Sequence, residues 1–125
     1  MEIKKLIKHK YAQCGAYKDY VLINGGDFDG REWGFLSYST KVIIVRGSRV
    51  IFTGYYSRTT SKQMGWWLDE YGYNIKGLGK DTLKIMAEKG LAYDTVTGEL
   101  TPLTHDELRE IRHERDAAFN YGYGW

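Results

Sequence analysis

The sequence predicts a single α+β domain, residues 1–125, with a small antiparallel sheet in the N-terminal half packed against about three helices in the C-terminal half. The chain has the length of one ordinary domain. Apolar residues form short alternating or continuous runs up to about residue 55 and then recur every three to four positions. Strands followed by helices are typical of α+β proteins, so we expect the helices on one face of the sheet.

Four short segments predict strands, because they are rich in aromatic and β-branched residues and are bounded by turn residues. They are Tyr17–Ile23, Arg31–Leu36, Lys41–Val45 and Arg49–Tyr55. The cluster NGGDFDG at residues 24–30 and the pair Gly47-Ser48 predict turns between them, so the strands form a meander. The segment from Ile3 to Tyr11 fits either a short helix or an edge strand.

The first two helices follow a change of apolar period. Met64, Trp67, Leu68 and Tyr71 lie on one face of a helix. We expect Thr59, Thr60 and Ser61 to supply its N-cap and Gly72 to end it. A second helix is predicted from Asp81 to a C-terminal cap at Gly90, with Leu83, Met86 and Ala87 on one face.

A hairpin or loop at Tyr93–Leu100, turning at Thr97-Gly98, precedes the third helix. Thr104 and Glu107 have the spacing of a capping box at its start. Its apolar stripe comprises Leu108, Ile111, Ala118 and Phe119, and the tail YGYGW is too glycine-rich to continue it. Arg115 lies within the stripe, where its stem packs while its head reaches water, pairs with a buried carboxylate or contacts a partner.

Composition places the protein in the cytoplasm. A lone cysteine, Cys14, is typical of a reducing compartment. The first residues lack the apolar core of a signal peptide, and no run of eighteen apolar residues predicts a membrane helix. The net charge of +2 is unevenly placed, with 11 Lys and Arg against 5 Asp and Glu in residues 1–62, and 7 against 11 afterwards. Either half offers a charged surface, or the two halves mix their charges on folding.

No motif predicts catalysis, a cofactor or a metal. The three histidines lack metal-ligand spacing, the glycines of KGLGK lack the spacing of a phosphate loop, and Asp27 and Asp29 begin no complete calcium loop. We therefore predict a binding protein rather than an enzyme. A site assembled from residues distant in the chain stays open as a less favoured alternative.

Aromatic residues make up 15% of the chain, including 11 Tyr and 4 Trp, and such residues are enriched at interfaces. Trp66 lies on the polar side of its helix, away from the apolar stripe, so it is either covered by another segment or exposed to a partner. Tyr55 and Tyr56 stand near Arg49, Arg58 and Lys62, an arrangement that also suits nucleic acid. The simpler interpretation is that the tyrosines alternate into the core and the cations are ordinary surface charges.

One segment carries a resemblance. Ser37-Tyr38-Ser39-Thr40 leads into a strand, and Tyr56-Ser57-Arg58-Thr59-Thr60-Ser61 leads into a helix with an aromatic residue and Leu. From Leu36 to Gly72 the chain resembles a group of small uncharacterised proteins of bacteriophages and mobile elements. By analogy of class, the resemblance implies an inhibitor that docks on a host defence protein in the bacterial cytoplasm, as anti-CRISPR proteins dock on nuclease complexes.

Such an inhibitor would present Trp66, Tyr55 and Tyr56 as aromatic contacts. It would compete for a basic surface through an acidic helix face formed by Glu107, Glu110, Glu114 and Asp116. That charge run also fits a solvated helix face with pairs such as Arg112–Asp116. The alternative function is a nucleic-acid-binding accessory protein that uses Arg49, Arg58 and Lys62. A homodimer that buries Trp66 is a further alternative.

Overall fold

A computed structural model describes residues 2–4, 17–23, 31–38, 40–73, 75 and 79–120. Within these residues seven strands form one antiparallel sheet whose spatial order is the chain order. The strands are β1 Glu2–Lys4, β2 Tyr17–Ile23, β3 Arg31–Ser37, β4 Thr40–Arg46, β5 Arg49–Phe52, β6 Leu91–Asp94 and β7 Leu100–Pro102. The helices are α1 Arg58–Glu70, α2 Lys80–Lys89 and α3 His105–Asn120. The predicted α+β class is confirmed, and the β6–β7 hairpin extends the sheet with residues from the C-terminal half.

Glycines form the two hairpin turns that the sequence predicts. Gly47 has a φ of +60° between β4 and β5, and Gly98 has a φ of +75° between β6 and β7, a backbone region that L side chains rarely adopt. The second turn is also held by the Asp94 side chain, whose Oδ1 accepts hydrogen bonds from the backbone N–H groups of Val96 and Thr97.

A β-bulge in β4 decides which way its charged end points. Phe35 pairs with Ile43 and Leu36 with Lys41, so Val42 is one extra residue relative to β3. The extra residue shifts the alternation of side chains, and Lys41 therefore shares a face with Ile44 rather than with Ile43. Without the bulge, simple alternation would place Lys41 among apolar side chains.

Both faces of the sheet are covered by helices. Ile43, Val45, Val50 and Phe52 share one apolar cluster with Met64, Trp67 and Leu68 of α1. The intervening residues Ile44 and Ile51 belong to a second cluster with Ile111 of α3. Since neighbouring residues of a strand point to opposite faces, α1 and α3 lie on opposite sides of the sheet. Our expectation of helices on one face was wrong, because β4 and β5 are apolar on both sides.

The helix ends follow capping chemistry. Ser57, rather than Thr59–Ser61, caps α1, and its side-chain oxygen accepts a hydrogen bond from the Thr60 backbone N–H at 3.1 Å. Gly90 caps α2 in the left-handed conformation, as predicted. The predicted capping box of α3 is confirmed by reciprocal hydrogen bonds between Thr104 and Glu107 at 3.0 and 3.1 Å.

Several sequence predictions lie outside the described residues. These are the turn at residues 24–30, most of the segment from Ile3 to Tyr11, most of KGLGK and the tail YGYGW. Of the Ile3–Tyr11 segment, Ile3 and Lys4 lie in β1 and pair with Leu22 and Val21 of β2. Among the described helices, none has both the length and the apolar character needed to cross a membrane.

Candidate binding surface

A buried carboxylate, Glu32 of β3, organises the face of the sheet that α3 covers. Its Oε1 accepts hydrogen bonds from Nε and Nη2 of Arg46 at 2.8 and 2.7 Å. Its Oε2 accepts from Lys41 Nζ and from the Tyr20 hydroxyl, both at 2.9 Å. The Glu32 side chain has no exposed surface, so these four contacts replace its hydration.

Acidic residues of α3 join this network from above the sheet. Arg46 Nη2 lies 2.7 Å from Glu110 Oε2, and Arg46 Nη1 lies 3.3 Å from Glu107 Oε2. Arg49 Nη1 donates to the same Glu107 oxygen at 2.9 Å. Glu114 Oε1 accepts from the backbone N–H of Lys41 at 2.7 Å, which satisfies a donor beside the bulge. The network therefore holds α3 against β4 and β5.

These contacts shift the protonation of the network. Burial disfavours the charged form of Glu32, but the hydrogen bonds and charges of Lys41 and Arg46 outweigh it and lower the pKa of Glu32. Burial likewise disfavours the charged form of Glu107. The hydrogen bond from Arg49 is the strongest of the interactions that outweigh burial and lower the pKa of Glu107. Burial and then the neighbouring Glu32 carboxylate raise the pKa of Tyr20 well above its usual value. At neutral pH Glu32 and Glu107 are therefore ionised and Tyr20 is neutral.

The network corrects the acidic-face hypothesis. Glu107 and Glu110 were predicted to face a partner, but they contact Arg46, and Glu114 contacts the backbone of Lys41. Asp116 is exposed as predicted. The acidic residues turn inward because Arg46 and Lys41 of the sheet need carboxylates, a requirement that lies far away in sequence.

The nucleic-acid set is likewise divided. Arg49 is half-buried, pairs with Glu107 and donates to the carbonyl of Pro102 at 3.3 Å. Arg49 is thus engaged by Glu107, and its role as a nucleic-acid contact stays a prediction. Arg58 and Lys62 are exposed on α1.

The two tyrosines also differ in exposure. Tyr56 is only 1% exposed, and its hydroxyl hydrogen-bonds with Thr53 Oγ1, so its prediction as a partner contact is wrong. Burial raises its pKa, which keeps the hydroxyl neutral. Tyr55 is half-buried, with Lys80 Nζ 5.6 Å from its ring centre.

The stem of Arg115 packs beside Gly54, just after β5, a feature shared by the alternatives considered for it. It is half-buried on α3, and its Cδ would lie 3.3 Å from a Cβ placed on Gly54. The glycine thus leaves room for the arginine stem, as expected of a side chain whose apolar part packs.

An aromatic cluster on the opposite face fixes the rotation of α1 about its axis. Asp19, which is fully buried, accepts hydrogen bonds from Trp67 Nε1 at 2.8 Å and from the Tyr71 hydroxyl. Trp33 lies with its ring centre 5.0 Å from that of Trp67 and 4.8 Å from that of Tyr71. The sequence analysis did not identify this role of Asp19. The only feature that could have indicated it was a carboxylate inside a predicted strand. With Trp67 held inward, the adjacent Trp66 points outward.

We define the α1 outer face as Arg58, Lys62, Gly65, Trp66 and Asp69. Trp66 is 43% exposed, although it is among the largest side chains of the protein. Lys62 Nζ lies 5.5 Å from the centre of its ring. Arg58, Lys62 and Asp69 are exposed beside it. The structure therefore brings one predicted protein contact and two predicted nucleic-acid contacts onto the same helix face.

The charges of this face oppose the helix dipole. The first turn of α1 contains no acidic residue and its last turn no basic one, while Arg58 begins the helix and Asp69 and Glu70 end it. Each such placement costs a few tenths of a kcal/mol relative to the reverse. In α2, by contrast, Asp81 lies in the first turn and Lys89 in the last. The charge order of α1 therefore does not contribute to helix stability through the dipole.

Gly65 is also unfavourable for the stability of α1. A glycine inside a helix costs about 1 kcal/mol relative to alanine. Among the described residues, no atom outside the neighbouring part of α1 lies within 4 Å of a Cβ added at Gly65, so packing against them does not require a glycine here. A glycine that no internal contact explains, next to an exposed tryptophan, is suited to close approach by another molecule.

Fold and surface together define an α+β protein whose meander sheet is covered on both faces and whose first helix presents an exposed aromatic face. Residues 2–84 match the model of a family of unknown function, DUF8033, and the chain belongs to this family. The match includes β1–β5, α1 and the start of α2, and the prediction of an uncharacterised family is confirmed. No curated protein and no solved structure matches the chain.

Proposed function

We propose that this protein is a non-catalytic binding protein that docks on a protein partner through the α1 outer face. One observation carries the proposal: Trp66 is exposed on a helix face whose glycine and charge order both lower the stability of the helix itself. Residues that lower the stability of their own secondary structure are expected at functional sites. The opposite face of α1 is well packed, so the conflict is confined to the exposed side.

The residues of the α1 outer face have distinct roles in binding. The Trp66 indole supplies a large rigid contact of the kind that dominates interface energies. Gly65 lets the partner's backbone come close beside it. Lys62 and Asp69 flank the indole with opposite charges, so they favour one orientation of the partner. The fitting partner has an apolar pocket with a carboxylate on one side and a cation on the other.

We further propose that the partner is a host defence protein, with a CRISPR-type nuclease complex as the leading class, and that docking inhibits it in the bacterial cytoplasm. The support is the resemblance of Leu36–Gly72 to proteins of bacteriophages and mobile elements, a segment that contains all of α1. The acidic residues Glu107, Glu110 and Glu114 no longer contribute to this mechanism, because they contact the sheet.

A second candidate function is binding of single-stranded nucleic acid. Arg58, Lys62 and Trp66 follow one another at intervals of four residues on an exposed face, where an indole can stack on a base and cations can hold phosphates. Two observations favour the protein partner instead. Asp69 on the same face repels phosphate, and Arg49 is engaged by Glu107.

The test compares two exposed apolar side chains of similar exposure. Trp66 is 43% and Ile85 of α2 is 47% exposed. Tagged wild-type protein, Trp66→Ala and Ile85→Ala are used to capture partners from bacterial lysate with and without nuclease, after circular dichroism has shown that all three are folded. We expect a stoichiometric protein that survives nuclease and is lost only with Trp66→Ala.

Loss of the captured protein with both variants, or with neither, would contradict docking through Trp66. Capture that disappears after nuclease treatment, combined with salt-dependent binding of single-stranded oligonucleotides that requires Lys62, would favour the second candidate instead.

A further inference from the structure

Two oppositely charged residues of the α1 outer face, Lys62 and Asp69, lie symmetrically about one point. Lys62 and Asp69 are seven residues apart, which places them on nearly the same line of the helix, about 20° apart in rotation and about 10.5 Å apart along the axis. The midpoint between them falls between Gly65 and Trp66. These two charges therefore complement each other across the midpoint, and Arg58, one turn earlier, lies outside the pair.

This arrangement fits a second copy of the same face. When two such helices pack antiparallel about a two-fold axis at the Gly65–Trp66 step, Lys62 of each copy lies opposite Asp69 of the other. The contact forms twice because the interface is isologous. A parallel arrangement would instead place Lys62 against Lys62 and Asp69 against Asp69.

The centre of the face fits the same axis. Trp66 lies within half a residue of the midpoint, so the two indoles meet beside the axis and cover each other's exposed surface. Gly65 lies on the other flank of the axis in both copies, where the absence of a side chain lets the helix backbones approach. The charge order that opposes the dipole of α1 becomes favourable in this pairing, because each helix end meets the opposite end of its partner.

We propose that the α1 outer face binds a second copy of this chain in an antiparallel homodimer, with Trp66 at its centre and Lys62–Asp69 ion pairs on both sides. The inference rests on the proposed function, since it names a second occupant of the same surface. Self-pairing covers Trp66, so a protein partner must compete with the second copy. In the dimer the docking face is covered, and dissociation of the dimer exposes it.

Charge reversal tests the pairing directly. Sedimentation velocity over a wide range of concentrations measures the dimer dissociation constant of wild type, Lys62→Asp and Asp69→Lys. Each reversal places like charges opposite each other at two positions, and we expect each to weaken the dimer at least about tenfold. Both positions are exposed, and neither reversal adds a charge that opposes the dipole of α1, so neither variant is expected to unfold more easily.

The decisive sample is an equimolar mixture of the two reversed variants. In a mixed dimer, Asp at position 62 of one chain meets Lys at position 69 of the other, and the native Lys62 meets the native Asp69. We expect the mixture, and also the double variant Lys62→Asp/Asp69→Lys, to dimerise with nearly wild-type affinity. Lys84→Asp, a charge reversal of the same kind at an exposed position of α2, serves as the control and leaves the dimer intact.

Three results would overturn the inference: a wild-type protein that is monomeric at every concentration, a dimer that neither reversal weakens, or a mixture that stays monomeric. Failure here is distinguishable from failure of the proposed function. A monomeric protein that still captures a partner in a Trp66-dependent way retains the docking function without self-pairing. A dimer whose Trp66→Ala variant captures the same proteins as wild type retains the pairing and loses the docking function.

Discussion

Arg46 and Glu32 meet on neighbouring strands, with Arg46 Nη2 2.7 Å from Glu32 Oε1 on the face of the sheet that α3 covers. The same Nη2 atom lies 2.7 Å from Glu110 of α3. A single guanidinium therefore joins a strand carboxylate to a helix carboxylate. It supplies electrostatic complementarity at a junction that apolar contacts between Ile44, Ile51 and Ile111 also hold.

Glu32→Gln is expected to lower the free energy of unfolding by roughly 3–5 kcal/mol, because it removes the fully buried carboxylate that pairs with both Lys41 and Arg46. Urea denaturation followed by circular dichroism measures the change. Glu88→Gln, on the exposed face of α2, is the matched control and should change stability by less than about 0.5 kcal/mol. Equal losses for the two variants would show that the network is not stabilising.

Acidification is expected to destabilise the protein through Glu32 and Glu107. The pKa values of both groups are lowered in the folded protein, so their contribution is present above the ordinary glutamate pKa of about 4.3 and is lost as pH falls through the folded values. The free energy of unfolding, measured from about pH 6 down to about pH 3, should therefore decrease as the pH falls. The double variant Glu32→Gln/Glu107→Gln should show a flatter dependence, and an unchanged slope would contradict the assignment.

Gly65→Ala is expected to raise the free energy of unfolding by about 0.5–1 kcal/mol, because alanine favours the helix and the added methyl has no described neighbour within 4 Å beyond the adjacent part of α1. The same substitution should weaken both dimerisation and partner capture, since it fills the space beside Trp66. A variant that gains stability and also keeps full binding would remove Gly65 from the interface.

Gly34→Ala is expected to have the opposite effect on stability. A Cβ at Gly34 would overlap the carbonyl oxygen of Ile43 and lie 2.9 Å from Tyr20 Cε1. Because one of these atoms belongs to the backbone of β4, the strands must separate to accommodate the methyl group. Soluble yield and thermal unfolding should both fall sharply relative to wild type, whereas normal unfolding would contradict the close approach of the strands.

Ser57→Ala is expected to cost about 1 kcal/mol, because the Ser57 side chain accepts the Thr60 backbone N–H at the start of α1. Thr59→Ala should cost much less, since Thr59 is exposed and lies inside the helix. Thermal unfolding of the two variants distinguishes the N-cap, and a larger loss for Thr59→Ala would restore the cap originally expected from sequence.

Much of the fold could be predicted because its signals are local. The range Tyr17–Ile23 and the core of β4 follow from runs of aromatic and β-branched residues, and the cap at Gly90 follows from a glycine after a periodic segment. The N-cap of α1 was misplaced by two residues or more because hydroxyl side chains occupy positions 57 and 59–61, and only backbone conformation distinguishes them.

The site was less predictable because its contacts are distant in sequence. Arg46 and Glu110 are 64 residues apart, and nothing near Glu110 indicates that it pairs with a strand. Tyr56 follows the end of β5, where strand alternation no longer predicts which side chains are buried. The outward direction of Trp66 was predictable, by contrast, since it depends only on helical spacing within one element.

The bulge at Val42 also bears on how the length of this strand can vary. Deleting Val42 would bring Lys41 and Ile43 into consecutive register with Leu36 and Phe35, and the flanking side chains would keep their present faces. The charge network could therefore survive a shorter β4, at the expense of the packing of Val42 itself. In a related chain with a shorter β4, the missing residue would then correspond to Val42, inside a central strand. It would not lie in the Gly47 turn.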